Sequence, residues 1–148
     1  MLAYRNLKDI VDKVIVWETE RRGLYQVAAV ALRNPESRKL VELLEADLAE
    51  RLRILCELDL RKFGGLEWMK IAALPSDDEM VPRKSISRDS SPEDIVRVII
   101  DAGERLMRFY EQTERSLVSR SQKELFKSLA LFTSEQIRSI RERIAPGA

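Results

Sequence analysis

Residues 25–44 read YQVAAVALRNPESRKLVELL, and within them one amphipathic helix ends and another begins. Up to Leu32, apolar side chains recur three and four residues apart, at Leu7, Val11, Val14, Tyr25, Ala28 and Leu32, the spacing that lines one face of a helix. Asn34 then offers a side-chain oxygen to the free N–H groups of a new helix. Pro35 suits its first position, where a missing N–H costs nothing. Leu40, Leu44, Leu48, Leu55 and Leu58 follow on one stripe until Gly64 and Gly65 make continuation unfavourable. Two long stripes separated by a short stop predict an antiparallel helical hairpin over about 4–62.

The pattern returns later in the chain. Residues 9–60 slide onto 94–145 at a constant offset of 85 without a gap, bringing Asp9-Ile10-Val11 onto Asp94-Ile95-Val96, Tyr25 onto Tyr110 and Leu32 onto Leu117. Leu40 and Leu44 fall on Leu125 and Leu129, and Glu50, Arg53 and Glu57 on Glu135, Arg138 and Glu142. Ser91, Pro92 and Asp94 form a helix start, and a third helix runs through Val96, Ile99, Leu106, Tyr110 and Leu117. Ser121 with Glu124 reads as a capping box for a fourth, carrying Leu125, Leu129, Ile137 and Ile140 and ending near Pro146. The second hairpin thus covers 92–145. Between the hairpins, about 63–91, Pro75, Pro82 and the polar run from Ser85 to Ser91 break the period, with Leu66 to Leu74 as a short packed segment. This is a crossover inside one all-α domain, 1–148, a four-helix bundle of two hairpins.

Composition narrows the function. Lys and Arg number 26 against 25 Asp and Glu, a net charge of +1 that provides no field for nucleic acid or an anionic membrane. The first residues, MLAYRNLKDI, are charged where an export signal would be apolar, and no run of about 18 apolar residues occurs. One cysteine, Cys56, cannot form an internal disulfide, and a cytoplasmic location is expected. The chain has no histidine, which removes the commonest transition-metal ligand and general base together. No phosphate-binding glycine loop, cysteine pair or nucleophile triad is present.

Two similar helical hairpins joined by a long crossover, with aromatic residues at Tyr25 and Phe109-Tyr110, resemble the ferritin-like superfamily, and the rubrerythrins within it. The resemblance implies a di-iron carboxylate centre: a Glu from each of helices one and three, and a Glu-x-x-His from each of helices two and four. Two metal ions about 3.5–4 Å apart require several anionic donors pointing inward. Carried onto this sequence, the six positions are Glu18, Leu48 with Arg51, Gly103, and Thr133 with Gln136. Only Glu18 keeps its ligand, so no metal, cofactor or catalytic residue is expected, and the six are vestigial.

Arg51 is expected to pair with Glu18 inside the bundle as a fixed charge in place of metal, with Thr133 and Gln136 offering neutral hydrogen bonds and Gly103 leaving room. Tyr25 and Tyr110 are expected to be packed core residues with hydrogen-bonded hydroxyls. Trp17 and Trp68 are expected at a bundle face or dimer interface, and Cys56 to be unreactive. The leading expectation is a rubrerythrin-like bundle acting as a non-catalytic interaction or scaffold protein, as a homodimer with a further protein partner unspecified. The alternative is an oxidoreductase or metal-binding protein holding iron or manganese in a rearranged site of Glu18, Glu45, Asp47, Glu50, Glu104 and Glu135.

Overall fold

In the computed structural model, which describes residues 2–65, 67–81 and 86–144, four long helices form an all-α bundle with one small ribbon at its side. Helix α1 spans Leu7–Ala31 and α2 Pro35–Glu57; after the crossover, α4 spans Pro92–Ser116 and α5 Arg120–Arg143. Within each hairpin the helices pack along their length, and α1 against α4 and α2 against α5 join the hairpins.

The internal repeat holds in the capping chemistry. The N-caps Asn6 and Ser91 stand 85 residues apart, as do Asn34 and Ser119 and the extended C-caps Leu32 and Leu117. Asn34 Oδ1 accepts from the N–H groups of Glu36 and Ser37 at 3.0 and 3.1 Å, and Ser91 Oγ from Asp94 at 3.1 Å. A basic side chain at equivalent positions closes the preceding helix in both halves: Arg38 donates to the Leu32 carbonyl and Lys123 to that of Glu114. The start of α5 corrects the sequence reading, because its cap is Ser119 and not Ser121. Ser119 Oγ accepts from the Gln122 N–H, while the Gln122 side chain donates to the Phe63 carbonyl, and α4 already ends at Leu117.

Two further boundaries differ from expectation. Asn6 Oδ1 accepts from the Asp9 N–H at 2.9 Å and starts α1 there, so Tyr4 lies in a strand, β1 (Leu2–Arg5). This strand pairs antiparallel with β2 (Met69–Ala72) in the crossover, Tyr4 opposite Lys70. Helix α2 stops at Glu57, and Asp59 caps a single 3-10 turn, Leu60–Phe63. Gly64 ends that turn at φ 70°, and a Cβ on Gly65 would lie 2.6 Å from the Leu60 carbonyl oxygen, so both glycines are required. The crossover also contains a one-turn helix, α3 (Asp77–Met80), held against α1 by Asp77, whose Oδ1 accepts from the Trp17 indole at 2.8 Å and Lys13 at 3.2 Å. Those hydrogen bonds depress the Asp77 carboxyl, the Trp17 bond most. Leu66, Pro82 to Ser85 and the stop near Pro146 lie outside the described residues.

The core is two apolar clusters with a polar level between them. One gathers Val14, Trp17, Leu106, Tyr110 and Leu129, the other Tyr25, Leu44, Leu48, Ile99 and Ile140. Along α1 and α5 the change of cluster falls at Glu18, Arg21, Thr133 and Gln136, all buried. No helix among the described residues is long and apolar enough to cross a membrane.

Candidate functional site: a buried polar centre

Glu18, Arg21 and Tyr25 lie three and four residues apart, which stacks them on the inward face of α1. Arg21 is fully buried and Glu18 is 2% exposed. The guanidinium grips the carboxylate with two parallel bonds, Nε to Oε1 at 2.7 Å and Nη2 to Oε2 at 3.1 Å. Its Nη1 donates to Tyr25 Oη at 3.0 Å and to Gln136 Oε1 on α5 at 2.8 Å. Tyr25 Oη donates to the same Gln136 oxygen at 3.1 Å, and Gln136 Nε2 to the Leu44 carbonyl on α2 at 3.0 Å. One network thereby joins three helices through the core.

The electrostatics follow from burial. Desolvation alone would lower the Arg21 pKa, but the Glu18 charge and its hydrogen bonds outweigh it and the guanidinium is held more firmly protonated. Burial raises the Tyr25 phenol, and Arg21 partly opposes this. Tyr110 is pushed well above the ordinary phenol range, by burial first and then by the nearby Glu18 charge. Its hydroxyl is buried and makes no hydrogen bond among the described residues, contrary to expectation, whereas Tyr25 is bonded as expected.

The six positions carried over from the family pattern divide unequally. Glu18, Leu48, Gly103, Thr133 and Gln136 are buried, Thr133 returning its hydroxyl to the Leu129 carbonyl at 2.9 Å. Gly103 allows α5 to approach, since a Cβ there would stand 3.1 Å from Ile137 Cγ1. Arg51 does not reach Glu18; it is half-buried at the α2–α5 seam with its guanidinium carbon 4.5 Å from the centre of the Phe132 ring. The cation that pairs with Glu18 is Arg21. Two sequence signals point to it: the i, i+3 relation to Glu18, and the repeat, which aligns Arg21 with the core residue Leu106.

The residues present do not fit a di-iron or di-manganese centre. Glu18 is the sole buried carboxylate among the described residues, and both its oxygens are bonded to Arg21, a permanent cation where metal charge would have to sit. The displaced carboxylate set is dispersed: Glu45 bonds Arg22, Glu50 bonds Arg53, Glu104 bonds Arg141, and Asp47 and Glu135 are exposed. Among the described residues no three His, Cys, Asp or Glu side chains gather where they could hold a metal ion. Trp17 is buried, Trp68 is 66% exposed, and Cys56 is exposed. Fold and centre together define a helical bundle whose buried ion pair is satisfied from within. No protein-family model, curated protein or solved structure matches the chain.

Proposed function

We propose that the chain is a non-catalytic interaction or scaffold protein, built on a rubrerythrin-like bundle whose metal centre has been replaced by an internal ion pair. The observation that carries this reading is the buried, two-pronged Arg21–Glu18 pair, which consumes the one remaining ligand position. Its test is metal analysis of protein produced with iron and manganese supplied. The expected result is sub-stoichiometric metal and unfolding insensitive to chelators; about two metal ions per chain that vanish in Glu18→Ala would overturn the reading.

The interaction role draws support from the outer face of α1. Val16, Val27 and Val30 are exposed there, and a Cβ on Gly23 would meet nothing within 4 Å. The equivalent positions of α4 are Asp101, Gln112, Arg115 and Arg108, all polar. Apolar side chains on one copy of a repeated helix and polar ones on the other favour self-association through α1 as a homodimer. Sedimentation equilibrium of wild type and Val27→Lys/Val30→Glu tests this: a dimer that becomes a monomer is expected, and a monomeric wild type sinks it. The exposed single thiol of Cys56 fits a cytoplasmic setting.

A further inference from the structure

The crossover leaves a cleft of about 530 Å³ between residues 71–75, α3 and the flank of α4, within the size range of small-molecule sites. Its apolar lining includes Ile71, Met80 and Phe109, each less than a tenth exposed. The walls are fixed from several sides. The β1–β2 pairing holds residues 69–72, Trp17 and Lys13 hold Asp77, and Arg105 Nη1 donates to the Glu79 carbonyl at 2.7 Å. The cavity exists without rearrangement, which lowers the entropic penalty of binding.

Two guanidinium groups line this cleft and they differ. Arg105 is matched within the chain, its Nε 3.0 Å from Asp101 Oδ2. Arg108 makes no ion pair or hydrogen bond among the described residues, and the Thr113 hydroxyl, in a residue only 8% exposed, makes no hydrogen bond among them either. The repeat strengthens the point. Arg108, Phe109 and Thr113 correspond to Gly23, Leu24 and Ala28 on α1, so cation, aromatic ring and hydroxyl occur together only on the copy that the crossover covers.

We propose that this cleft binds a small monocarboxylate with an apolar body, its carboxylate on Arg108 and Thr113 and its hydrocarbon against Phe109, Met80 and Ile71. One planar guanidinium matches one carboxylate in two-pronged geometry. A dianionic phosphate is disfavoured, because it would have a single unmatched cation and the Glu79 carboxylate also lines the cleft. Phe109 lies edge-on to Trp17 at 5.0 Å between ring centres, so a ligand against Phe109 perturbs an indole that reports by fluorescence.

The test uses the full chain with octanoate and 4-phenylbutyrate as probes, and octanol and inorganic phosphate as controls, read by calorimetry and tryptophan fluorescence. Saturable binding of at least one carboxylate below about 1 mM is expected, weakened about tenfold or more in Arg108→Gln and about threefold in Thr113→Val. Octanol binding, if present, is expected to be unchanged in Arg108→Gln. Arg108 is exposed, so its variant folds, and circular dichroism verifies this. Absence of carboxylate binding up to about 10 mM overturns the proposal, as does equal affinity in Arg108→Gln or stronger binding of phosphate. The metal and association tests above are independent of these results.

Discussion

Helices α1 and α4 begin and end in the same register and bury a tyrosine at the same place, yet between cap and tyrosine they carry opposite chemistry. In the first, Glu18 and Arg21 bring a full ion pair into the core; in the second, Gly103 and Leu106 bring space and hydrocarbon. The consequence appears at the phenols. Tyr25 is bonded to Arg21 and Gln136, while Tyr110, buried to the same degree, makes no hydrogen bond among the described residues. Repetition of architecture therefore leaves core polarity free to differ: one half supplies the charges, and the other yields the volume that lets α5 bring Gln136 to them.

Arg21→Leu breaks this difference most severely, since it gives the first half the residue type of the second. It strands a buried carboxylate, and a loss of about 3–5 kcal/mol is expected in urea unfolding. The double variant Glu18→Leu/Arg21→Leu removes both charges and is expected to lie much closer to wild type, or above it. A small loss for Arg21→Leu alone would mean that Glu18 finds other partners. Arg51→Leu, at the half-buried seam, is expected to have a minor effect.

Alkaline pH separates the two phenols next. Each has its ionisation raised by burial, so below about pH 10 both are protonated whether folded or unfolded and their contribution is constant. Above that value the unfolded chain releases these protons and the folded one keeps them, so stability falls as pH rises, by up to about 1.4 kcal/mol per pH unit for each phenol. Tyr110→Phe should remove one such contribution from the slope, and Tyr25→Phe the other. Urea midpoints across this range, with wild type as reference, provide the check; a slope unchanged in the double variant contradicts the assignment.

At neutral pH the same substitutions have unequal effects. Tyr25→Phe deprives Arg21 and Gln136 of a shared partner and is expected to lose about 1.5–3 kcal/mol, as for hydrogen bonds to charged groups. Tyr110→Phe removes a hydroxyl that makes no hydrogen bond among the described residues, so it should be neutral within about 0.5 kcal/mol or stabilising. Equal losses would show that Tyr110 is bonded after all.

The helices were legible because apolar spacing and capping residues act locally, and Asn34-Pro35 and Ser91-Pro92 mark starts that tertiary contacts do not override. The short ribbon was not, because Leu2–Arg5 has no strand alternation of its own and gains its hydrogen bonds only from Met69–Ala72, far along the chain. At the centre, the family pattern, supported by the repeat, put Glu18, Leu48, Gly103, Thr133 and Gln136 inside the bundle, and these five are buried. Choosing Arg51 over Arg21 as the partner followed from the family pattern, which attends to ligand positions. The helix face and the repeat both identify Arg21 as inward, and the repeat, aligning Ser119 with Asn34, separately identifies the cap of α5.

The smallest effect contrasts a glycine on the inner face of α4, Gly103, with one on the outer face of α1, Gly23. Alanine is favoured over glycine inside a helix by about 0.5–1 kcal/mol. At Gly103 that gain is opposed by the 3.1 Å approach to Ile137, so Gly103→Ala is expected to be destabilising overall unless Ile137 shifts by a few tenths of an ångström. At Gly23 the chain itself opposes nothing, and Gly23→Ala should stabilise an isolated chain by the full increment. If α1 pairs with a second copy across this glycine, the added methyl group meets the partner's backbone, and the variant should instead weaken association while raising the stability of the dissociated form. Unfolding measured at two protein concentrations distinguishes these cases, because only the association component depends on concentration.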